Sequence, residues 1–136
     1  MSGPGVVRIS EAPNWAAERF GLDREVLDMR ILRGVLGCEH LGISHLTFGP
    51  HRALTVGHRH PGGGEEVYVL VSGRARIKVE GEIHELVAPS ALRVPADKLR
   101  GIRADGDEPA VFVVAGSPID DPDETEIVPG FWPLDE

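Results

Sequence analysis

The sequence predicts an all-β sandwich or barrel that follows a short N-terminal helical segment. Short stretches of alternating apolar and polar residues recur at close spacing from Met29 onward, and no helical pattern separates them. The 17 glycines and 11 prolines among 136 residues supply the turns that many short strands need. Antiparallel strands joined by tight turns are therefore favoured over βαβ units, which place a helix between strands.

A short helix is predicted from Pro13 to Phe20, because proline suits a first helical turn and Gly21 suits a helix end. Asp23 is a suitable cap for a further helical turn that runs through Leu27. The strands are predicted, in chain order, at residues 30–36, 41–48, 53–60, 66–71, 74–79, 82–87, 92–94, 99–104 and 110–114.

The chain divides into three parts of one domain. Residues 1–39 are an N-terminal arm with the short helix and the first strand, residues 40–116 form the barrel, and residues 117–136 form an acidic tail. From Ile119 the tail carries seven acidic residues and no basic one. Its Phe131-Trp132 pair is expected to pack onto the body or onto a second subunit, as large aromatics near a terminus usually do.

Charge and cysteine content exclude several classes of protein. The net charge is −8 and no basic run is present, which argues against nucleic acid or an anionic membrane surface as a partner. The single cysteine, Cys38, cannot form an intrachain disulfide. No apolar run reaches membrane-spanning length, and residues 1–8 lack a signal-peptide pattern. We therefore expect a cytoplasmic protein.

Two histidines one residue apart are the strongest chemical signal in the sequence. On a strand, His58 and His60 project from the same face. A loop of three glycines follows and leads to Glu66 on the next predicted strand. Two imidazoles and a carboxylate that converge form the three-ligand face on which many divalent metals bind.

This run resembles the first sequence motif of the cupins, in which a His-x-His pair precedes a glutamate and then, after six residues, a glycine. Glu66, and not Glu65, has the matching distance from Gly73. The gap after the histidine pair is one residue longer than usual, and the three glycines can absorb it. The resemblance covers roughly residues 40–116 and implies a cupin jelly-roll barrel, or double-stranded β-helix, of the small bacterial type.

The second cupin motif is degenerate in this sequence. Its turn proline is present as Pro95, but Arg100 occupies the place of the histidine that would be the fourth metal ligand. Arginine is always protonated and cannot bind a metal. Alternation places Arg100 on one face with Ile102, so its guanidinium is expected to contact Glu66 or a bound anion.

Three alternatives remain for the site. In the first, His58, His60 and Glu66 bind a divalent metal, and Arg100 holds an anionic ligand beside it. In the second, no metal binds and the pocket holds or processes a small molecule; in the third, the polar residues form an inert cluster. A nearby cation weakens metal binding by repulsion, so we favour a site without a cofactor over one with Fe, Mn, Ni or Zn. The predicted pocket residues are His58, His60, Glu66, Tyr68, Arg100 and Ile102.

The expected function follows from these alternatives. The first candidate is a binding protein for a small polar or anionic molecule, and the second is a metal-dependent oxygenase or isomerase, as the cupin resemblance implies. A metal-free sugar epimerase is a weaker third candidate, because only a histidine with Tyr68 could supply its acid and base. A homodimer is predicted, because the outward positions Val67, Val69 and Val71 are all apolar.

Overall fold

A computed structural model describes residues 4–119 and 124–133. It confirms the predicted all-β fold, with two short α-helices and one 3₁₀ turn at Ile9–Glu11. The helices are α1 Trp15–Phe20 and α2 Arg33–Leu36. The strands are β1 Leu27–Ile31, β2 Gly42–Phe48, β3 Gly57–Arg59, β4 Glu66–Ser72, β5 Arg74–Val79, β6 Glu82–Val87, β7 Ser90–Val94, β8 Arg100–Ala104, β9 Ala110–Gly116 and β10 Glu126–Val128.

The strands form two antiparallel sheets of five strands each. One sheet has the order β1-β2-β9-β4-β7 and the other has the order β10-β3-β8-β5-β6. Alternate residues of each strand enter a common core, to which Leu70 and Phe112 contribute from the first sheet and Ile77 from the second. The tight turn between β4 and β5 needs Gly73, whose φ of +87° is a conformation that other residues rarely adopt.

The first part of the chain differs from the sequence prediction in two places. Asn14 caps α1, because its side chain accepts a hydrogen bond from the Ala17 N–H, and Pro13 therefore precedes the helix. Asp23 accepts hydrogen bonds from the Val26 and Leu27 N–H groups through its backbone carbonyl, so a single helical turn leads directly into β1 and no further helix is formed there. The strand predicted at 30–36 ends at Ile31, because the chain turns there into the short helix α2.

The predicted strand at 53–60 is also shorter than expected. Only Gly57–Arg59 forms β3, and Ala53 makes an isolated bridge to Arg103. His60 lies just beyond β3, where its backbone N–H donates to the Ala96 carbonyl at 2.8 Å. That bond connects the backbone of His60 to the turn between β7 and β8.

The C-terminal tail is part of the barrel, and its strand was not predicted. β10 pairs with β3, in the register Glu126 with Arg59 and Ile127 with His58. Trp132 is fully buried, and the guanidinium groups of Arg76 and Arg103 lie 5.5 and 4.2 Å from its ring centre. The expectation that the aromatic pair anchors the tail on the body is therefore confirmed. Residues 120–123 and 134–136 of the predicted acidic tail lie outside the described residues.

The outward valines of β4 differ in exposure. Val67 and Val69 are half-buried, and Val71 is 48% exposed. The homodimer that was inferred from them stays a prediction. In the described ranges no helix has both the length and the apolar character that crossing a membrane requires.

Candidate metal centre

Three side chains meet at one point inside the barrel. His58 comes from β3, His60 follows its end, and Glu66 is the first residue of β4. Glu66 Oε1 lies 3.1 Å from His60 Nε2 and 3.8 Å from His58 Nε2. The structure therefore brings together the three residues that the sequence singles out, with their potential ligand atoms all within 4.8 Å of one another.

Tyr68 completes this cluster. Its hydroxyl donates a hydrogen bond of 2.9 Å to Glu66 Oε1 and lies 3.4 Å from His58 Nε2. Burial, together with the negative charge of Glu66, raises the pKa of the Tyr68 hydroxyl well above its ordinary value. The phenol therefore stays protonated at neutral pH and acts as a hydrogen-bond donor to the carboxylate.

The charges of the cluster suit a metal site. Burial by itself would raise the pKa of the Glu66 carboxyl, but the polar contacts of His58 and His60 with the carboxylate outweigh it and hold that pKa well below its usual range. Burial lowers the pKa of the His58 imidazole, and the nearby Glu66 carboxylate offsets this only in part. At neutral pH the site thus contains an ionised carboxylate and a neutral His58, which are the forms that bind metals.

Arg100 is fully buried beside this cluster, but its hydrogen bonds go to backbone carbonyls and not to Glu66, and the alternative of a bound anion stays a prediction. Its guanidinium donates to the Pro95 carbonyl at 2.7 Å and to the His58 carbonyl at 3.4 Å. Across residues 4–119 and 124–133, the ion-pair partners of Glu66 are the two histidines. The carboxylate is already occupied by the histidines and Tyr68, whereas the turn that starts at Pro95 offers an acceptor to Arg100.

Arg100 is also not among the residues that line the central cavity, so its contact with a ligand stays a prediction. The positive charge of Arg100 still affects the site, since it contributes to the lowered pKa of His58. Arg100 and His58 are register partners in the β8–β3 ladder, so their backbones are adjacent. Ile102, two residues further along β8, lines the cavity as expected.

The cavity has a volume of about 320 Å³ and is bordered by residues from both sheets and from α1. The histidine pair, Glu66 and Tyr68 form a polar part of its wall. Most of the remaining wall is apolar and includes Trp15, Phe20, Met29, Leu46, Phe48 and Ile102. A ligand that fills this space would contact mostly hydrocarbon and meet the polar cluster at a limited part of its surface.

Sequence reasoning missed several residues of this site. Thr125 lines the cavity, and its Oγ1 lies 3.2 Å from His60 Nδ1. Trp15 and Phe20 from α1 reach the cavity as well. The helical pattern of α1 indicates that it has an apolar face, but no local signal in the sequence assigns that face, or Thr125, to the site.

The residues fit a divalent metal. Metal bonds to imidazole nitrogen and carboxylate oxygen are about 2.0–2.2 Å long, so two ligand atoms of one ion lie about 3.0–3.6 Å apart. The distance of 3.1 Å from Glu66 Oε1 to His60 Nε2 lies within that range, and the distance of 3.8 Å to His58 Nε2 is slightly longer. Two nitrogens and one oxygen are a donor set that Fe, Mn, Ni and Zn accept, and three protein ligands leave positions open for another molecule.

More than half of the chain matches a known protein family. The family model of the cupin domain matches residues 44–116, which include the whole candidate centre except Thr125. The chain belongs to the cupin family. No curated protein matches this cupin.

Solved structures agree with the family assignment. A cupin protein from Bacteroides fragilis is 25% identical and has a TM-score of 0.61, covering 74% of this chain and 82% of that one. A conserved protein with a double-stranded β-helix domain from Klebsiella pneumoniae is 17% identical, with a TM-score of 0.67 and coverage of 90% and 96%. KdgF from a Halomonas species is 17% identical, with a TM-score of 0.58 and coverage of 74% and 86%. The latter two likenesses support the fold alone.

Proposed function

We propose that this cupin binds one divalent metal ion through His58, His60 and Glu66, and a small molecule of largely apolar character beside it. The observation that carries the proposal is the convergence of three potential ligand atoms, within 4.8 Å of one another, on the wall of an apolar cavity. When bound, a divalent ion supplies Lewis acidity toward an oxygen of the second ligand. The ion would be Fe, Mn, Ni or Zn.

The protein residues around the centre have separate tasks in this proposal. Tyr68 donates to Glu66 and keeps that carboxylate oriented. The apolar wall desolvates the body of the small molecule and limits its contact with water. In place of the polar or anionic ligand that we expected from Arg100, we propose a molecule with one polar end, because Arg100 donates to the Pro95 and His58 carbonyls and is not among the residues that line the cavity.

Catalysis is the second candidate function, in the form of a metal-dependent oxygenase or isomerase. It is favoured by a three-residue ligand set, because metal sites with only three protein ligands keep open positions where a reacting molecule can bind. The Tyr68 hydroxyl, 3.4 Å from His58 Nε2, belongs to the part of the cavity wall that such a molecule would face.

The proposal is tested by titrating the chelator-treated protein with Co²⁺, which has visible absorption bands that report its ligands. We expect one Co²⁺ per chain and bands typical of mixed nitrogen and oxygen ligands. A protein that takes up no Co²⁺ at millimolar concentration would contradict the proposed metal site.

A matched pair of chelating ligands tests the cavity. Acetohydroxamate and benzohydroxamate present the same chelating group to the Co²⁺-loaded protein, but only the second carries a phenyl ring. Burying that ring against the apolar wall is expected to tighten binding about tenfold or more, at roughly 25 cal/mol per Å². Equal affinities for the two compounds would show that the cavity does not receive the ligand.

Arg100→His is expected to raise the affinity for Co²⁺ at least about tenfold. The substitution removes a buried cation that repels the metal, and it places an imidazole beside His58, with which residue 100 is in register. Arg100→Gln removes the charge without adding a ligand and should give a smaller increase. Calorimetry on both folded variants checks this. An affinity for Arg100→His at or below that of the wild type would contradict the role given to Arg100.

A further inference from the structure

His60 is held by hydrogen bonds at both of its ring nitrogens. On one side, its Nε2 lies 3.1 Å from Glu66 Oε1. On the other side, its Nδ1 lies 3.2 Å from Oγ1 of Thr125, a residue 65 positions away in the C-terminal tail. Because the imidazole is also buried, these two contacts set the direction in which Nε2 points.

A threonine hydroxyl suits this position because it can both donate and accept. In the metal-free protein, an Nε2–H group can donate to Glu66 while the Thr125 hydroxyl donates to Nδ1. An imidazole that binds a metal through Nε2 carries its proton on Nδ1, and Thr125 Oγ1 can then accept that proton's hydrogen bond. One rotation of the hydroxyl therefore satisfies His60 in both states.

The surrounding tail keeps Thr125 in place. The next residue, Glu126, accepts a hydrogen bond of 2.7 Å from Arg59 Nε, and Ile127 is the register partner of His58. Further on, the backbone N–H of Trp132 donates to the Thr55 carbonyl at 3.1 Å. The pairing of β10 with β3 and the hydrogen bond of Trp132 therefore hold the segment that contains Thr125 next to the histidine pair.

The ring of Phe131 adds a steric contact to this anchorage. It packs so closely on Gly57 that a Cβ atom there would come within 2.6 Å of it, and a Cβ at Gly101 would come within 3.3 Å. Because Gly57 precedes His58, the tail contacts the backbone of the histidine strand directly. Only a residue without a side chain leaves room for this contact.

We infer that Thr125 is a positioning residue that orients His60 for metal binding through Nε2. The inference rests on the proposed metal site and assigns part of that site to the C-terminal tail. Thr125 need not touch the ion, because its effect is exerted through the imidazole. Partners of this kind change metal affinity by about 10–100-fold when they are removed.

The test compares Thr125→Val, which keeps the shape without the hydroxyl, with Thr125→Ser, which keeps the hydroxyl. Thr47→Val, on β2, is the matched control, since Thr47 is half-buried and does not line the cavity. We expect Thr125→Val to weaken Co²⁺ binding about 10–100-fold and to alter the Co²⁺ absorption bands. The Ser variant and the Thr47 control should stay within about threefold of the wild type.

A second measurement reports on the imidazole itself. In the Zn²⁺-loaded protein, NMR of the histidine side chains should show a slowly exchanging Nδ1–H signal for His60 in the wild type and in Thr125→Ser. That signal should exchange faster in Thr125→Val, whose thermal unfolding should remain close to that of the wild type without metal.

Two kinds of failure can be told apart. If the wild type binds Co²⁺ and Thr125→Val binds it equally well with the same spectrum, the inference is overturned while the metal site stands. The same holds if Thr125→Ser is as weak as Thr125→Val. If the wild type binds no metal, the proposed function fails and this inference fails with it.

Discussion

Glu66→Gln is expected to lower the affinity for Co²⁺ by at least about 100-fold. Glu66 is the only anionic member of the three-residue set, and its Oε1 is the atom that both histidines and Tyr68 approach. A glutamine has nearly the same shape, but its neutral amide oxygen is a weaker ligand, and its NH₂ group cannot accept the hydrogen bonds that the carboxylate accepts. The loss should exceed that of a residue that acts only through a ligand.

The neighbouring carboxylate provides the control. The Glu65 side chain is 58% exposed and makes its ion pair with Arg93 at 2.7 Å, away from the histidines. Glu65→Gln should therefore bind Co²⁺ like the wild type in the same calorimetric titration. The two glutamates are adjacent in the sequence. Comparing these two variants therefore also tests the sequence prediction that Glu66, which has the matching distance from Gly73, is the ligand. Comparable metal affinity in Glu66→Gln and the wild type would refute the ligand set.

Trp132→Ala is expected to lower the free energy of unfolding by about 3–5 kcal/mol, the usual loss when a buried tryptophan is removed from a core. The ring is fully buried and stacks with Arg103 and Arg76, so its loss leaves a cavity and two arginines without their aromatic partner. Urea denaturation followed by circular dichroism measures the change.

Trp15→Ala is the comparison for this prediction. Trp15 is only half-buried and borders a cavity that already exists, so its removal should cost less than half as much. A loss of less than about 1 kcal/mol in Trp132→Ala would mean that the tail does not depend on this anchor. The Trp132 variant should also bind Co²⁺ more weakly, because Thr125 belongs to the segment that Trp132 fixes.

Patterns within a few neighbouring residues predicted much of the fold and part of the site. Alternating polarity and turn residues located the strands from β4 to β9, since each depends on local geometry. The histidine pair and Glu66 were found for the same reason. Their spacing around a glycine loop determines which side chains share a face.

Features that depend on distant parts of the chain were not predicted. Alternation indicates that Arg100 enters the barrel, but not that the Pro95 carbonyl, and not Glu66, accepts its hydrogen bond. β10 has only three residues and is stabilised by its partner β3, so its own sequence carries a weak signal. Thr125 and His60 are 65 positions apart, and nothing local to either residue indicates that they meet.

The pairing of β10 with β3 determines when the centre can be assembled during protein synthesis. His60 leaves the ribosome 65 residues before Thr125, which at about 5–20 residues per second is a delay of roughly 3–13 s. Throughout that interval β3 has an unpaired edge in the nascent chain, which is a site for pairing with other strands. The centre is therefore complete only after the segment that contains Thr125 and β10 has been made.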